Sequence, residues 1–152
     1  MRFVLLDSGP LGLVVCRTGV ESADGLRGRL AELEMADVKV LVPAVMDYEV
    51  RRELLRRGAT AKLRKLEKLR ERFSVLPVSE PAWLRAAEFW ALTRRMGLPT
   101  GSDSDLDADA ILAGCAATVG KPGDEVIVAT SNARHLSRFP GIDARNWAAV
   151  EP

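Results

Sequence analysis

Short apolar runs that alternate with stretches of helical periodicity constrain the fold of this chain more than any other feature. The runs are rich in Val and Leu, and the segments between them repeat apolar residues every three or four positions. Strands separated by helices form βαβ units, which build a parallel sheet covered by helices. We therefore predict an α/β fold with a mainly parallel sheet. The expected strands are Arg2 to Leu6, Val38 to Val42, Ser74 to Val78 and Glu125 to Ala129, with a short last one near Arg145 to Trp147.

Helices are expected between these strands, and they end at Gly or Pro. One follows the Gly9-Pro10 turn, a second runs from Asp24 to Glu34, and a third runs from Ala44 to about Arg57. After the break at Gly58, apolar residues at helical spacing predict a fourth that ends near Phe73.

Two further helices are predicted in the second half of the chain. Ser79 as N-cap and Pro81 in the first turn open one of them, which stops at Gly97 and Pro99. Its expected buried face consists of Leu84, Ala87, Trp90 and Ala91. A polar loop from Thr100 to Ser104 precedes the other, which we expect to begin at Asp107 with Ser104 in a capping pattern.

The length and the cysteine content limit the class of protein. A chain of 152 residues fits one domain, 1–152, with a substantial core. Cys16 and Cys115 are far apart in apolar surroundings and are predicted to be buried free thiols. No leader pattern is present, and no apolar run reaches the roughly 18 residues that a membrane span needs. We expect a cytoplasmic protein without a membrane partner.

Four carboxylates lie where a predicted strand ends or a helix begins: Asp7, Glu49, Asp107 and Asp109. The carboxyl ends of parallel strands share one edge, so these acids can converge there, and a cluster of acids needs a cation. Simpler roles exist for three of them. Asp7 and Asp107 would serve as helix caps, and Glu49 as a solvated helical acid. Asp109 has no such alternative, because it lies deeper in a helix of small and apolar residues.

Other polar groups define the chemistry at this edge. Ser8 follows Asp7, and the fourth strand ends in Thr130-Ser131-Asn132. The chain has one histidine, His135, which excludes a multi-histidine zinc site. Oxygen ligands remain, and these favour Mg²⁺ or Mn²⁺, ions that assist phosphoryl chemistry.

The segment from residue 51 to residue 72 is strongly basic. It contains ten Lys or Arg against three Glu, a charge of +7 in a chain whose net charge is +1. Such a run is either a solvated helical face or a surface that binds a polyanion, and the acidic site makes an electrostatic anchor for nucleic acid necessary. This argument does not separate RNA from DNA. The residues predicted to bind nucleic acid are Arg51, Arg52, Arg56, Lys62 and Lys65.

Several short motifs, in this order and spacing, resemble the PIN-domain family and in particular VapC-like toxins of toxin-antitoxin pairs. They are Val4 to Ser8, Pro43 to Glu49, Asp109 to Gly114, Thr130 to Leu136 and the ending Asn146-Trp147.

The resemblance implies a three-layer α/β/α sandwich and a nuclease site that uses Mg²⁺ or Mn²⁺. Asp7, Glu49 and Asp109 match the three main acids of the family, Asp107 would assist them, and Asn132 stands where many members have a fourth acid. It further implies metal-assisted hydrolysis of RNA, a small antitoxin that blocks the acidic groove, and a homodimer.

Two other functions are consistent with the sequence. The neutral Asn132 favours a noncatalytic binding module with an incomplete metal site. An aspartyl phosphatase with Asp7 as nucleophile is disfavoured, because Gly9 stands where such enzymes usually have a second Asp.

Overall fold

Five parallel strands form the sheet of the computed structural model, which describes residues 1–97 and 103–152. The strands are β1 (Arg2–Leu6), β2 (Lys39–Pro43), β3 (Ser74–Leu76), β4 (Glu125–Thr130) and β5 (Asp143–Asn146). Their order in the sheet is β3-β2-β1-β4-β5, and all neighbouring pairs are parallel. The predicted strands are confirmed, with small shifts at the ends of β2, β3, β4 and β5. The sheet with its flanking helices is the predicted α/β/α architecture.

Seven α-helices connect the strands within the described ranges. They are α1 (Ser8–Val14), α2 (Glu21–Met35), α3 (Ala44–Arg57), α4 (Thr60–Arg72), α5 (Glu80–Arg95), α6 (Asp103–Val119) and α7 (Ala133–Ser137), and a 3₁₀ turn (Trp147–Ala149) follows β5. Gly58, with a φ of 65°, ends α3 in the left-handed conformation that favours glycine. The Ser79 side chain accepts a hydrogen bond from the backbone N–H of Ala82, so the predicted cap of α5 is confirmed. Nowhere in the two described ranges does a helix combine the length and apolar character of a membrane span.

The core lies around the central strands. Val4, Leu5 and Leu6 of β1 and Ile127 and Val128 of β4 are fully buried. Strands covered by helices on both faces carry continuous apolar runs, and for this reason β1 and β4 are visible in the sequence. The chain leaves β1 toward β2 and β3 on one side and later adds β4 and β5 on the other. The crevice at the carboxyl edge between β1 and β4 is therefore the topological switch point of the sheet, where ligands bind in open α/β folds.

The buried face of α5 is not the one predicted. Leu84 and Trp90 are exposed, and the residues that are buried on α5 are Ala82, Ala86, Phe89 and Thr93. The reason is the close contact between α5 and α6, where a Cβ atom added to Gly114 would lie 2.4 Å from the carbonyl oxygen of Ala82. Only small residues fit at this contact, so Ala82 and Ala86 take the buried positions there and Leu84 and Trp90 face outward, whereas Phe89 is buried elsewhere on the same face.

The start of α6 also differs from the prediction. The helix is already formed at Asp103, so Ser104 lies inside it rather than at its N-cap, and Asp107 does not open it. Residues 100–102 of the predicted polar loop lie outside the described residues. Both cysteines are free, but only Cys115 is buried as predicted, whereas Cys16 is half-buried.

Candidate metal centre

Asp7 lies at the junction of β1 and α1, at the switch point of the sheet. Its Oδ1 accepts a hydrogen bond of 2.7 Å from the backbone N–H of Ser8, and its Oδ2 accepts one of 2.7 Å from the hydroxyl of Thr130 at the end of β4. Its backbone N–H continues the pairing of the strands by donating to the carbonyl of Ala129. Asp7 is therefore both the N-cap of α1 and a carboxylate fixed across the crevice.

Glu49 reaches the same region from the second turn of α3. Its side chain is 19% exposed. Burial and the negative charge of Asp7 raise the pKa of Glu49, and a side-chain hydrogen bond with Ser8 and the charge of Arg52 only partly oppose this. The guanidinium of Arg52 is 4.0 Å from the Glu49 carboxylate.

Asp109 contributes the third carboxylate, from α6, and its side chain is 22% exposed. Burial, followed by the charge of Asp7, raises the pKa of Asp109 to about 7, and Glu49 and Asp105 add to the effect. Arg138, whose guanidinium lies 3.5 Å from the Asp109 carboxylate, lowers this pKa but does not offset the rise. The three predicted acids thus converge and repel one another.

Asp105 is the fourth acid that acts on this group, and Asp107 lies at its border. The charge of Asp105, one helical turn before Asp109, raises the pKa values of both Glu49 and Asp109. Asp107 is exposed and borders two clefts, one with Trp83 and Trp90 between α5 and α6 and a smaller one with Glu49 and Arg52. The proximity of Asp105 follows from its spacing of four residues from Asp109 on one helix.

The donor set fits a hydrated hard cation and not a dense protein cage. Within the described residues, no group of three or more His, Cys, Asp or Glu side chains is close enough to enclose a metal ion. Mg²⁺ usually keeps several waters and binds through only one or two carboxylates, so a looser arrangement of acids satisfies it. The mutual repulsion of Asp7, Glu49 and Asp109 is the condition that such a cation relieves.

Two basic side chains near Asp109 were not predicted from the sequence as its neighbours. Arg138, at the C-cap of α7, has a side chain that is only 11% exposed, and Nδ1 of His135 lies 4.0 Å from the Asp109 carboxylate. Their spacing of three residues places both on one face of a short helix. The spacing could have shown from the sequence that His135 and Arg138 lie on the same face. It could not have shown that this face lies beside Asp109, because that depends on the packing of α7 against α6.

Asn132 and Ser131 border the centre on the β4 side. The backbone N–H of Asn132 donates to the hydroxyl of Thr130 at 3.0 Å, and the Asn132 side chain is exposed. A Cβ atom added to Gly9 would lie 2.8 Å from the Oγ of Ser131. Gly9 therefore allows the start of α1 to approach the loop after β4, and this contact brings Asp7 and Thr130 together.

The basic residues predicted to bind nucleic acid have different surroundings. Arg51 donates two hydrogen bonds to the buried Asp47, at 2.9 and 3.1 Å, and also pairs with Glu67. Arg56 pairs with Glu53, and Lys65 donates to the carbonyl of Cys16 at 3.2 Å. These contacts give Arg51 a structural role and leave Arg56 and Lys65 partly engaged by the protein.

Of the residues predicted to bind nucleic acid, Arg52 and Lys62 share a cleft with Glu49. Together with Ser8, Glu49 and Arg57 they line a cleft of about 500 Å³. The cleft therefore combines Glu49 of the centre, together with Glu53, with three cations, and such cations suit a substrate with a phosphate backbone.

Comparison with known proteins identifies the family and the fold. The model of the PIN domain family matches residues 19–141, a range that includes Glu49, Asp109 and Asn132. No curated protein sequence matches the chain significantly.

Three of the similar solved structures have the same fold. The Rickettsia felis VapBC2 structure with promoter DNA matches with a TM-score of 0.74 and 14% identity over 95% of this chain and 98% of that chain. The DNA-bound VapBC structure from Salmonella typhimurium matches with a TM-score of 0.73 and 21% identity over 97% of this chain and 99% of that chain. The FitAcB structure from Neisseria gonorrhoeae matches with a TM-score of 0.70 and 19% identity over 97% of this chain and 99% of that chain. Because the family model covers most of the chain, this protein belongs to the PIN-domain family, with a fold like that of VapC.

Proposed function

We propose that this protein is a metal-dependent endoribonuclease and the toxin of a toxin-antitoxin pair. The observation that carries the proposal is the convergence of Asp7, Glu49 and Asp109 at the switch point of the sheet without enough positive charge to compensate them. PIN domains are generally nucleases and generally use divalent metal ions. The oxygen donors of this centre suit Mg²⁺ or Mn²⁺.

Each residue of the centre has a defined task in this proposal. Asp7, Glu49 and Asp109 hold the cation, directly or through water, and such an ion supplies Lewis acidity that neutralises phosphate charge and acidifies a water. Thr130 and the N–H of Ser8 fix the Asp7 carboxylate, and the Ser8 side chain orients Glu49. Asn132 offers a neutral amide at the rim. We place Asp105 ahead of Asp107 as the assisting acid, because its charge reaches Glu49 and Asp109.

The substrate strand is expected to follow the cleft past the basic side chains. Arg52 and Lys62 are the best placed of the predicted residues, and Arg57 joins them on the wall. Arg56 and Lys65 add positive charge at a greater distance. The similar structures of VapBC and FitAcB support an antitoxin as partner. A homodimer in the cytoplasm is the assembly that we propose.

The test is cleavage of end-labelled single-stranded and structured RNAs by purified, antitoxin-free protein in Mg²⁺, Mn²⁺ or EDTA. Asp7→Asn and Asp109→Asn are the inactivating variants. Lys39→Gln, an exposed cation at the start of β2, is the matched control. We expect cuts that require the metal, disappear in both Asn variants and persist in the control.

A noncatalytic binding module is the competing function, supported by the neutral Asn132 and by the lack of a dense ligand cage among the described residues. RNA binding that survives both Asn substitutions, with no cleavage by a folded wild-type protein in either metal, would favour it. Equal cleavage of DNA would remove the assignment to RNA and retain the nuclease.

A further inference from the structure

A second cleft, of about 240 Å³, lies between α1, α2 and α4 on the far side of Cys16 from the carboxylates. Four cationic side chains line it, Arg27, Lys65, Lys68 and Arg72, over an apolar floor of Val14 and Leu69. Thr18 completes the lining, which includes no carboxylate among the residues that the structure describes. We refer to it as the basic cleft.

A backbone carbonyl helps to position two of these cations. Arg27 and Lys65 both donate hydrogen bonds to the carbonyl oxygen of Cys16, near the end of α1. A carbonyl fixes a cation by its dipole but supplies no full negative charge, so positive charge remains at this point. The acids that pair with Arg27 and Arg72 are Asp24 and Glu34, and both are solvent-exposed, where screening weakens the pairs.

Cys16 links the basic cleft to the cleft that Glu49 lines. Cys16 lines that first cleft beside Ser8 and Glu49, whereas its carbonyl binds the cations of the basic cleft. Lys62, Lys65 and Arg72 follow one side of α4 from the first cleft to the second. At 1.5 Å per residue this side is about 15 Å long, which several nucleotides of an extended strand can span.

We propose that the basic cleft binds a backbone phosphate of the RNA strand several nucleotides away from the cleaved bond. This rests on the proposed ribonuclease function. The cleft would recognise the phosphate charge and not the bases, because its charged lining residues are cationic and its floor is aliphatic. Its contribution should therefore depend on the length of the substrate and on salt, and only weakly on sequence.

The test compares two double variants of the full chain, Lys65→Gln with Lys68→Gln and Lys39→Gln with Arg64→Gln. The first pair removes two cations from the basic cleft, and glutamine at position 65 retains an amide donor for the Cys16 carbonyl. The second pair removes two exposed cations outside the cleft, one of them on α4. Circular dichroism and urea midpoints establish that both variants are folded. Binding of fluorescent oligoribonucleotides of about two and about sixteen nucleotides is then measured in EDTA over a range of salt, because the shorter one cannot reach both clefts.

The cleft variant should bind the long oligonucleotide on the order of tenfold more weakly than wild type at moderate salt, with a smaller salt dependence, and should bind the short one equally. The control should match wild type with both. The proposal is overturned if the cleft variant binds the long oligonucleotide as wild type does, or if it loses affinity equally for both lengths. If that variant still cleaves RNA, the proposed nuclease function stands even though the cleft proposal has failed. If oligoglutamate is instead the ligand whose binding the variant loses, the cleft is a peptide site. A wild-type protein that neither binds nor cleaves RNA overturns the proposed function as well.

Discussion

Asp47 and Glu49 are two residues apart on α3, and their carboxylates have opposite electrostatic surroundings. Asp47 is buried, and burial alone would raise its pKa, but hydrogen bonds and charge from Arg51 and Arg70 hold that pKa below its ordinary value. Burial also raises the pKa of Glu49, and there the neighbouring charge of Asp7 adds to the rise. One helix thus presents a compensated acid between α3 and α4 and an uncompensated acid at the edge of the sheet.

The difference separates two reasons for burying a carboxylate. Asp47 joins α3 to α4, because Arg70 belongs to α4 and Arg51 also pairs with Glu67 of α4. Its arginines satisfy it, so it contributes to the fold. In the proposed metal centre, the mutual repulsion of Glu49, Asp7 and Asp109 would reduce the stability of the metal-free protein, and a cation from solution would compensate it. Substitutions at the two kinds of acid should therefore affect different properties.

The largest expected effect is the loss of cleavage in Glu49→Gln. Removal of one carboxylate weakens the cation site, which supplies several kcal/mol of transition-state stabilisation, so the rate should fall about 10² to 10³-fold. The free energy of unfolding should change by less than about 0.5 kcal/mol or should rise, because a source of repulsion is lost. Single-turnover cleavage and urea denaturation on one preparation measure both quantities. A large loss of stability would place Glu49 in the same class as Asp47.

Asp47→Asn should show the reverse pattern. It removes the acceptor of two arginines, and breaking a buried ion pair is strongly destabilising. Because Arg51 and Arg70 are partly exposed, we expect a loss of about 2 kcal/mol, below the value for a fully buried pair. Cleavage per folded molecule should remain at the wild-type rate. Urea denaturation and an active-site-independent measure of the folded fraction test this, and an unchanged urea midpoint would contradict it.

The pH dependence of stability should reveal the third acid of the centre. The pKa of Asp109 is about 7 in the folded state and is near 3.8 when unfolded. Between these values the folded state holds the proton that the unfolded state has released, so metal-free stability falls as the pH rises through this window. Because Asp109 is partly solvated and near Arg138, we expect a contribution on the order of 2 kcal/mol.

Asp109→Asn is the comparison for that measurement, since asparagine stays neutral. Urea denaturation in EDTA at pH 5 and pH 8 should show a smaller loss of stability in this variant than in the wild type. Saturating Mg²⁺ should reduce the difference, because a bound cation favours the ionised carboxylate. Identical pH profiles for the two proteins in EDTA would show that Asp109 does not titrate in this window.

The sheet and the acids at its edge were predictable because both follow from local patterns. Apolar runs mark β1 and β4, and a charged residue directly after such a run, as at Asp7, must lie at the carboxyl edge of a parallel strand. The convergence of Asp7, Glu49 and Asp109 then follows from the topology. The buried face of α5 was wrong because the small residues Ala82 and Ala86 face α6, a choice made by helix packing and not by hydrophobicity.

The cations around the acids could not be predicted, because ion pairs depend on which helices are neighbours. Arg51 belongs to the basic segment that predicted a nucleic-acid surface, and in the fold it forms ion pairs with Asp47 and Glu67. Arg138 was not selected at all, although it is the cation closest to Asp109 among the pairs found here. The sequence shows how many basic residues a segment contains. Only the tertiary structure determines which of them remain available for a substrate.

Glu53 on the same helix tests whether arginine partners alone are enough for an acid to stabilise the fold. It accepts hydrogen bonds from Arg56 and Arg57, and the hydrogen bond from Arg56 is the main reason that its pKa falls to about 2. Glu53 has arginine partners as Asp47 does, but it is half-exposed, and its partners are largely in solvent. Salt screens such surface pairs, so Glu53→Gln should leave the urea midpoint unchanged at roughly physiological ionic strength. A decrease of the urea midpoint as large as that of Asp47→Asn would show that arginine partners stabilise the fold without burial of the acid. An unchanged midpoint would show that burial gives the Asp47 pairs their value, because water competes for the charges of the exposed pairs in both the folded and the unfolded chain.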